Sequence, residues 1–135
     1  MHVLVLAGGL SAERDVSLRS GRRVAEALRG SRPGWEVTEH DVDGSLLDRL
    51  SNHRPDCIVP LLHGAAGEDG ALRDVLDAFG IPFVGSTAAA SRLAFDKPVS
   101  KELARTAGIH TPDSVSMPQS TFRELGAGAV RSEER

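Results

Sequence analysis

The chain has 135 residues, 40% of them hydrophobic and 26% charged, which is enough for one domain with a hydrophobic core. Its formal net charge of −3 disfavours nucleic acid as a partner, because duplex-binding proteins usually present a basic surface. No apolar run approaches the ~20 residues that span a bilayer, and the N-terminus lacks the pattern of a signal peptide. We therefore expect no membrane association and a cytoplasmic location. The single cysteine, Cys57, cannot form an internal disulfide.

The first half of the chain predicts strands that alternate with helices. Residues 2–7 are almost continuously apolar and end at a glycine pair, as in a parallel strand buried on both faces. Apolar residues at helical spacing then predict a helix capped by Ser17 and stopped by Gly30. A second strand over 35–42, a short helix over 45–50 and a third strand over 57–62 follow.

The second half continues the same alternation. The spacing of Leu72, Val75, Leu76 and Phe79 predicts a helix that Gly80 terminates. We predict a short fourth strand over 81–84, helical turns over 86–95 and 98–107, and one short helix after Met117. The expected fold class is therefore α/β, an open, doubly wound parallel sheet of about four strands with the order 2-1-3-4. Ligands of such Rossmann-like sheets bind beyond the carboxyl ends of the strands, where the winding direction reverses.

The loop after the first strand is the first candidate for a binding site. Gly8 and Gly9 allow a tight turn, and the loop leads into a helix whose N-terminus attracts negative charge. The sequence is neither G-x-G-x-x-G nor a P-loop. For this loop taken alone, the simpler explanation is a plain strand-to-helix turn, with Glu13 and Asp15 as favourable charges at the helix N-terminus and Ser17 as a cap.

The loop after the third strand is the second candidate. Residues 62–70 hold three glycines, two acids and His63, which exceeds what a turn requires. The alternative is structural, with Asp69 as a helix cap and His63 bonded to a backbone group. We expect no metal site, because the remaining histidines lack ligand spacing.

Taken together, the two loops resemble the motifs of a known family. GGLSAERDVSLRSG at 8–21 and LHGAAGEDG at 62–70 are similar to the two N-terminal signatures of D-alanine–D-alanine ligases. Gly85-Ser86, Ala90-Ser91 and Asp96-Lys97 follow at that family's offsets. The family usually has Gln-Gly where Arg73-Asp74 stand here, and these two residues fall on a predicted helix. The resemblance covers roughly residues 1–117.

The resemblance implies an enzyme of the ATP-grasp superfamily that uses ATP and Mg²⁺ in its full-length form. One D-alanine carboxylate is phosphorylated, and the amine of a second D-alanine attacks the acyl phosphate. Glu13 matches the catalytic glutamate that contacts the ammonium of the first D-alanine. Val16 and His63 match residues of the same substrate pocket, with Glu68 orienting the histidine. Lys97 matches a lysine that reaches the nucleotide.

The resemblance also sets the expected domain organisation. Residues 1–117 correspond to the N-terminal, substrate-binding domain of such a ligase, the pre-ATP-grasp domain. Residues 118–135 are either the start of a central domain or a polar tail. These 135 residues contain no tyrosine and no glycine-rich phosphate loop, so we expect the chain alone to be inactive as a ligase.

Other functions stay open at this point. One is a related ligase whose second substrate is D-lactate, D-serine or another amino acid. Another is a non-catalytic remnant that binds a ligand or pairs with a ligase subunit, and a homodimer is also open. An unrelated flavodoxin-like or dinucleotide-binding domain is a more distant alternative.

Overall fold

A parallel sheet forms the centre of the structure, a computed structural model that describes residues 1–125 apart from the side chain of Ala66. Its strands are β1 (His2–Ala7), β2 (Glu36–Asp41) and β3 (Cys57–Pro60), in the order β2-β1-β3. Val3 pairs with Val37 on one side and with Cys57 on the other, both in parallel register. This order confirms the prediction for the first three strands, although β3 ends at Pro60 and not at Leu62.

The predicted fourth strand is reduced to a single bridge within the described part of the chain. Phe83 pairs with Ile58 in parallel, through hydrogen bonds of 2.9 Å from the Ile58 amide to the Pro82 carbonyl and from the Val84 amide to the Ile58 carbonyl. Pro82 itself has no N–H to extend this short ladder. The sheet thus has one strand fewer than expected, but the segment lies on the predicted side of β3.

Helices connect and follow the strands. They are α1 (Arg14–Ser31), α2 (Leu46–Asn52), α3 (Ala65–Glu68), α4 (Ala71–Ala78), α5 (Ala88–Phe95), α6 (Lys97–Thr106) and α7 (Gln119–Leu125). The predicted helices all form, with ends shifted by a few residues, whereas the single turn α3 lies inside the glycine-rich loop and was not predicted. None of the helices in residues 1–125 is long and apolar enough to cross a membrane.

The two faces of the sheet are covered by different helices, as the doubly wound class requires. Val3 and Val5 pack on one face with Val37 and with Ala25 of α1. Leu4, Leu6 and Ile58 pack on the other face with residues of α2 and α4, among them Leu50 and Leu76. Because β1 carries side chains to both layers and every one from Val3 to Ala7 is buried, it is the central strand of the core.

The chain divides into two units, Met1–Ser100 and Lys101–Arg135. The first contains the sheet and both candidate loops. In the described part of the second, α6 ends at Thr106, Gly108 adopts a positive φ of 75°, and α7 is the short helix predicted after Met117. The predicted domain boundary at residue 117 stays a prediction, and residues 126–135 of the predicted segment 118–135 lie outside the described residues.

Candidate functional site

Two loops leave the carboxyl ends of neighbouring strands. The first loop is residues 8–13 after β1, and the second is residues 61–70 after β3, with the turn α3 inside it. Since β1 and β3 are adjacent and parallel, both loops begin at the same edge of the sheet. The predicted adjacency of the two strands is confirmed, and it is the condition for the two loops to build one site.

The two loops contact each other at glycines, where the absence of a side chain lets them approach closely. Gly64 has a φ of 76°, and a Cβ atom there would lie 3.2 Å from the Cβ of Ser11 in the first loop. A Cβ on Gly9 would lie 3.0 Å from the Leu62 side chain in the second loop. The backbone of each loop therefore lies against a side chain of the other loop. Because Leu62 contacts the first loop at Gly9, the next residue, His63, begins beside that loop.

Ser17 fastens the ends of both strands to α1. Its side chain is fully buried, and its Oγ accepts a hydrogen bond from the Gly8 amide at 2.8 Å and donates one to the Leu61 carbonyl at 2.7 Å. The prediction that Ser17 caps the helix is wrong, because α1 begins at Arg14 and Glu13 occupies the N-cap position. Its hydroxyl instead satisfies two backbone groups that the loops leave without partners.

Asp41, the last residue of β2, holds the first loop from the other side. Its Oδ1 accepts a hydrogen bond from the Gly9 amide at 2.8 Å, and its Oδ2 forms an ion pair with Arg14. The Gly9 hydrogen bond lowers the pKa of Asp41 against the opposing effect of desolvation, and Arg14 lowers it further. The sequence analysis missed Asp41, although an acid at the carboxyl end of a strand beside β1 was a usable signal.

Glu13 is the N-cap residue of α1, and Val16 lies in the first turn of that helix. The Glu13 amide donates to Ser11 Oγ at 3.2 Å, and the Glu13 carbonyl accepts from the amides of Val16 and Ser17 at 3.0 Å each. Both side chains are exposed, and in the described part of the chain no hydrogen bond or ion pair engages the Glu13 carboxylate. Residues three apart share a helix face, so a carboxylate and an apolar side chain are presented together.

His63 is half-buried at the start of the second loop. Its Nε2 atom is buried and has no hydrogen-bond partner among residues 1–125. A buried ring nitrogen without a partner is costly, so this atom marks a place where a ligand group or water would be stabilised. The alternative that a protein backbone group satisfies His63 does not hold for Nε2.

The acids of the second loop have different environments. Asp69 accepts a hydrogen bond from the Ala71 amide at 2.8 Å at the start of α4, but Gly70, and not Asp69 as the structural alternative had it, occupies the N-cap position of that helix. Glu68 is exposed at the end of α3, and no hydrogen bond of the described residues joins it to His63 Nε2. Its role in orienting His63 stays a prediction.

Lys97 lies apart from these loops in the chain, at the first position of α6. Its side chain is exposed, and within residues 1–125 no hydrogen bond or ion pair joins its ammonium to either loop. Its contact with a nucleotide stays a prediction. The described residues also contain no group of three or more His, Cys, Asp or Glu side chains that could hold a metal ion.

Comparisons with known proteins agree with the resemblance carried by the loops. No family model matches the chain. The D-alanine–D-alanine ligase of Beijerinckia indica is 47% identical over 116 residues, which is 86% of this chain and 37% of that enzyme. The corresponding ligase of Aquifex aeolicus is 43% identical over 84% of this chain and 38% of its own length. The chain is homologous to part of the D-alanine–D-alanine ligases.

Solved ligase structures share the fold. The D-alanine–D-alanine ligase of Aeromonas hydrophila superimposes with a TM-score of 0.77 at 29% identity, covering all of this chain and 59% of that one. The ligase of Bacillus anthracis in complex with ATP gives a TM-score of 0.76 at 29% identity, over 93% of this chain and 46% of that one. The chain thus spans little more than a third of the length of the curated ligases that it matches.

Proposed function

We propose that the chain is the D-alanine-binding, N-terminal part of an ATP-dependent D-alanine–D-alanine ligase of peptidoglycan synthesis. The observation that carries the proposal is the meeting of the two loops at the shared carboxyl edge of β1 and β3. Both loops hold the motifs that resemble the ligase signatures, and the homologous enzymes are ligases. A neighbouring ligase structure contains ATP, which supports ATP as the co-substrate.

In the proposed reaction, this chain recognises the ammonium group of the first D-alanine. The Glu13 carboxylate would pair with the substrate ammonium, because a cation that leaves water needs a compensating anion. Val16, on the same helix face, would contact the substrate methyl group or backbone. His63 would direct its unpartnered Nε2 toward the substrate carboxylate region, where a hydrogen bond would satisfy it.

The role of this chain in the chemistry is therefore to position one substrate. ATP would supply the phosphoryl group that converts the D-alanine carboxylate into an acyl phosphate, and attack by the second D-alanine amine would release phosphate. Lys97 would approach the nucleotide as a mobile point charge. We also propose Mg²⁺ as the partner of ATP, but the described residues offer no cluster to bind it, so we assign no step to metal ligands here. Homodimer formation and a cytoplasmic location belong to the same proposal.

A chimeric enzyme tests the proposal directly. Residues 1–117 would replace the matching N-terminal segment of the Beijerinckia indica ligase, and D-alanine-dependent ADP release would be measured. We expect the chimera to be active and Glu13→Gln to raise the KM for D-alanine at the first site by about thirtyfold or more, since charge-pair truncations in desolvated sites cost ~2–5 kcal/mol. The KM for ATP should change little.

Glu26→Gln is the matched control, because it removes the same charge from an exposed position of α1 away from the loop. Equal kinetics for Glu13→Gln and Glu26→Gln would contradict the assignment of Glu13. A second measurement follows the amide resonances of the 135-residue chain during titration with D-alanine and with L-alanine. Shifts at Gly9 and His63 with D-alanine alone would support the site, and equal responses to both enantiomers would contradict it.

A further inference from the structure

A polar cavity lies at the opposite end of the strands from the two loops. We call it the amino-edge pocket, because it opens beside the first residues of β1 and β2, and its volume is about 380 Å³. Its lining contains four side chains that can be cationic, one hydroxyl and one carboxylate: His2, Arg49, His53, Arg54, Thr38 and Glu36. None of these residues belongs to the candidate ligase site.

Arg49 is the residue that makes the pocket unusual. Its Nε atom is buried and lacks a hydrogen-bond partner within residues 1–125, and the same part of the structure gives the guanidinium no ion pair. One terminal nitrogen donates to Thr38 Oγ1 at a long 3.4 Å. A guanidinium has only donors, so a buried N–H of this kind is satisfied by an acceptor that the chain itself does not provide.

The neighbouring groups are held in place around Arg49. His2 Nε2 lies 2.8 Å from Thr38 Oγ1, so the threonine hydroxyl contacts both the ring and the guanidinium. Arg54 donates to the Phe79 and Gly80 carbonyls at 2.7 and 2.6 Å, which fixes its guanidinium at the pocket wall. His53 is exposed at the end of α2 and completes the lining.

We propose that the amino-edge pocket binds a small tetrahedral oxyanion of the phosphate class. Arginine matches such oxygens because its planar N–H groups donate in pairs, and the two guanidiniums of the lining outweigh its one carboxylate, Glu36. The pocket leaves space for an anion beside Arg49, whose buried Nε has no acceptor among the described residues. The proposal rests on the pocket alone and does not depend on the ligase function.

The test uses the 135-residue chain, inorganic phosphate as the probe, and chloride to keep the ionic strength constant. Amide resonances of His2, Arg49, His53 and Arg54 should shift along one saturable curve. Arg49→Met should weaken binding by about tenfold or more, as expected when a charged hydrogen-bond donor is lost. Glu36→Gln should tighten binding by about two- to threefold, because it removes a repulsive charge from the lining of a solvent-exposed pocket.

Matched controls separate this site from general charge effects. Arg22→Met and Glu26→Gln make the same charge changes at exposed positions of α1 and should leave the phosphate curve unchanged. If Arg49→Met does not fold, His53→Gln keeps the test available, since that exposed ring makes no hydrogen bond in the described chain. Non-saturating shifts, or a Glu36→Gln variant that binds phosphate no more tightly than Glu26→Gln, would overturn the proposal.

Discussion

Replacing Ser17 by alanine should destabilise the domain far more than its small volume suggests. The fully buried hydroxyl makes two hydrogen bonds, to the Gly8 amide and the Leu61 carbonyl. Each such bond contributes about 1 kcal/mol net, and its loss leaves a poorly solvated backbone group without a partner. Alanine has the higher helix propensity and returns about 0.5 kcal/mol. The expected loss in the free energy of unfolding is therefore about 1.5 kcal/mol, or about 5–10 °C in Tm.

Urea denaturation of the 135-residue chain, followed by circular dichroism, measures this loss. Ser20→Ala is the control, because Ser20 lies on the same helix and its side chain makes no hydrogen bond within residues 1–125. That control should be neutral or slightly stabilising, by up to about 0.5 kcal/mol. If Ser17→Ala and Ser20→Ala unfold at the same urea concentration, the hydroxyl does not join the strand ends as described.

Two further substitutions probe the site. The pKa of Asp41 is lowered in the folded chain, so its carboxylate stabilises the fold above the ordinary pKa of 3.8, and this stabilisation disappears as the pH falls through the lowered pKa. In urea unfolding from pH 7 down to pH 3, Asp41→Asn should therefore lose less unfolding free energy than the wild type. Parallel curves of unfolding free energy against pH would contradict the role of Asp41. His63→Leu should leave the unfolding free energy unchanged or raise it by about 1 kcal/mol, because it removes a buried nitrogen without a partner. In the chimeric ligase the same change should raise the KM for D-alanine, and a strong loss of stability with normal kinetics would show that His63 is structural.

Much of the fold could be predicted because the strongest sequence signals are those of burial. The apolar run of β1 and the helical spacing of Leu72 and Leu76 place these residues in the core, where the structure has them. The fourth strand could not be predicted correctly from its apolar residues. Its length depends on how many backbone hydrogen bonds the segment forms with β3 on either side of Pro82. Those bonds depend on tertiary pairing with Ile58, which the local sequence does not specify.

The sequence motifs predict the two loops of the candidate site, but they do not predict the residues that hold these loops in place. Glu13 and His63 stand out in the sequence because each lies in a glycine-rich loop that follows a buried strand. Such loops lie at the carboxyl edge of the sheet, where ligands of this fold class bind. The sequence predicts a cap at Ser17 because serine near the start of a helix is usually the N-cap residue. Its partners Gly8 and Leu61, like the Asp41 that holds Gly9, become visible only when distant strands are brought together.

The central position of β1 has a consequence for how the chain is made. A ribosome synthesises β1 first, but its partners arrive later, Val37 on one edge and Cys57 on the other. Pairing over such long separations is slow, since a large loop must close before the ladder forms. Until β3 has emerged, an almost wholly apolar strand keeps one edge free for pairing with other nascent chains. We therefore expect aggregation during biosynthesis to depend on the interval between the synthesis of β1 and that of β3.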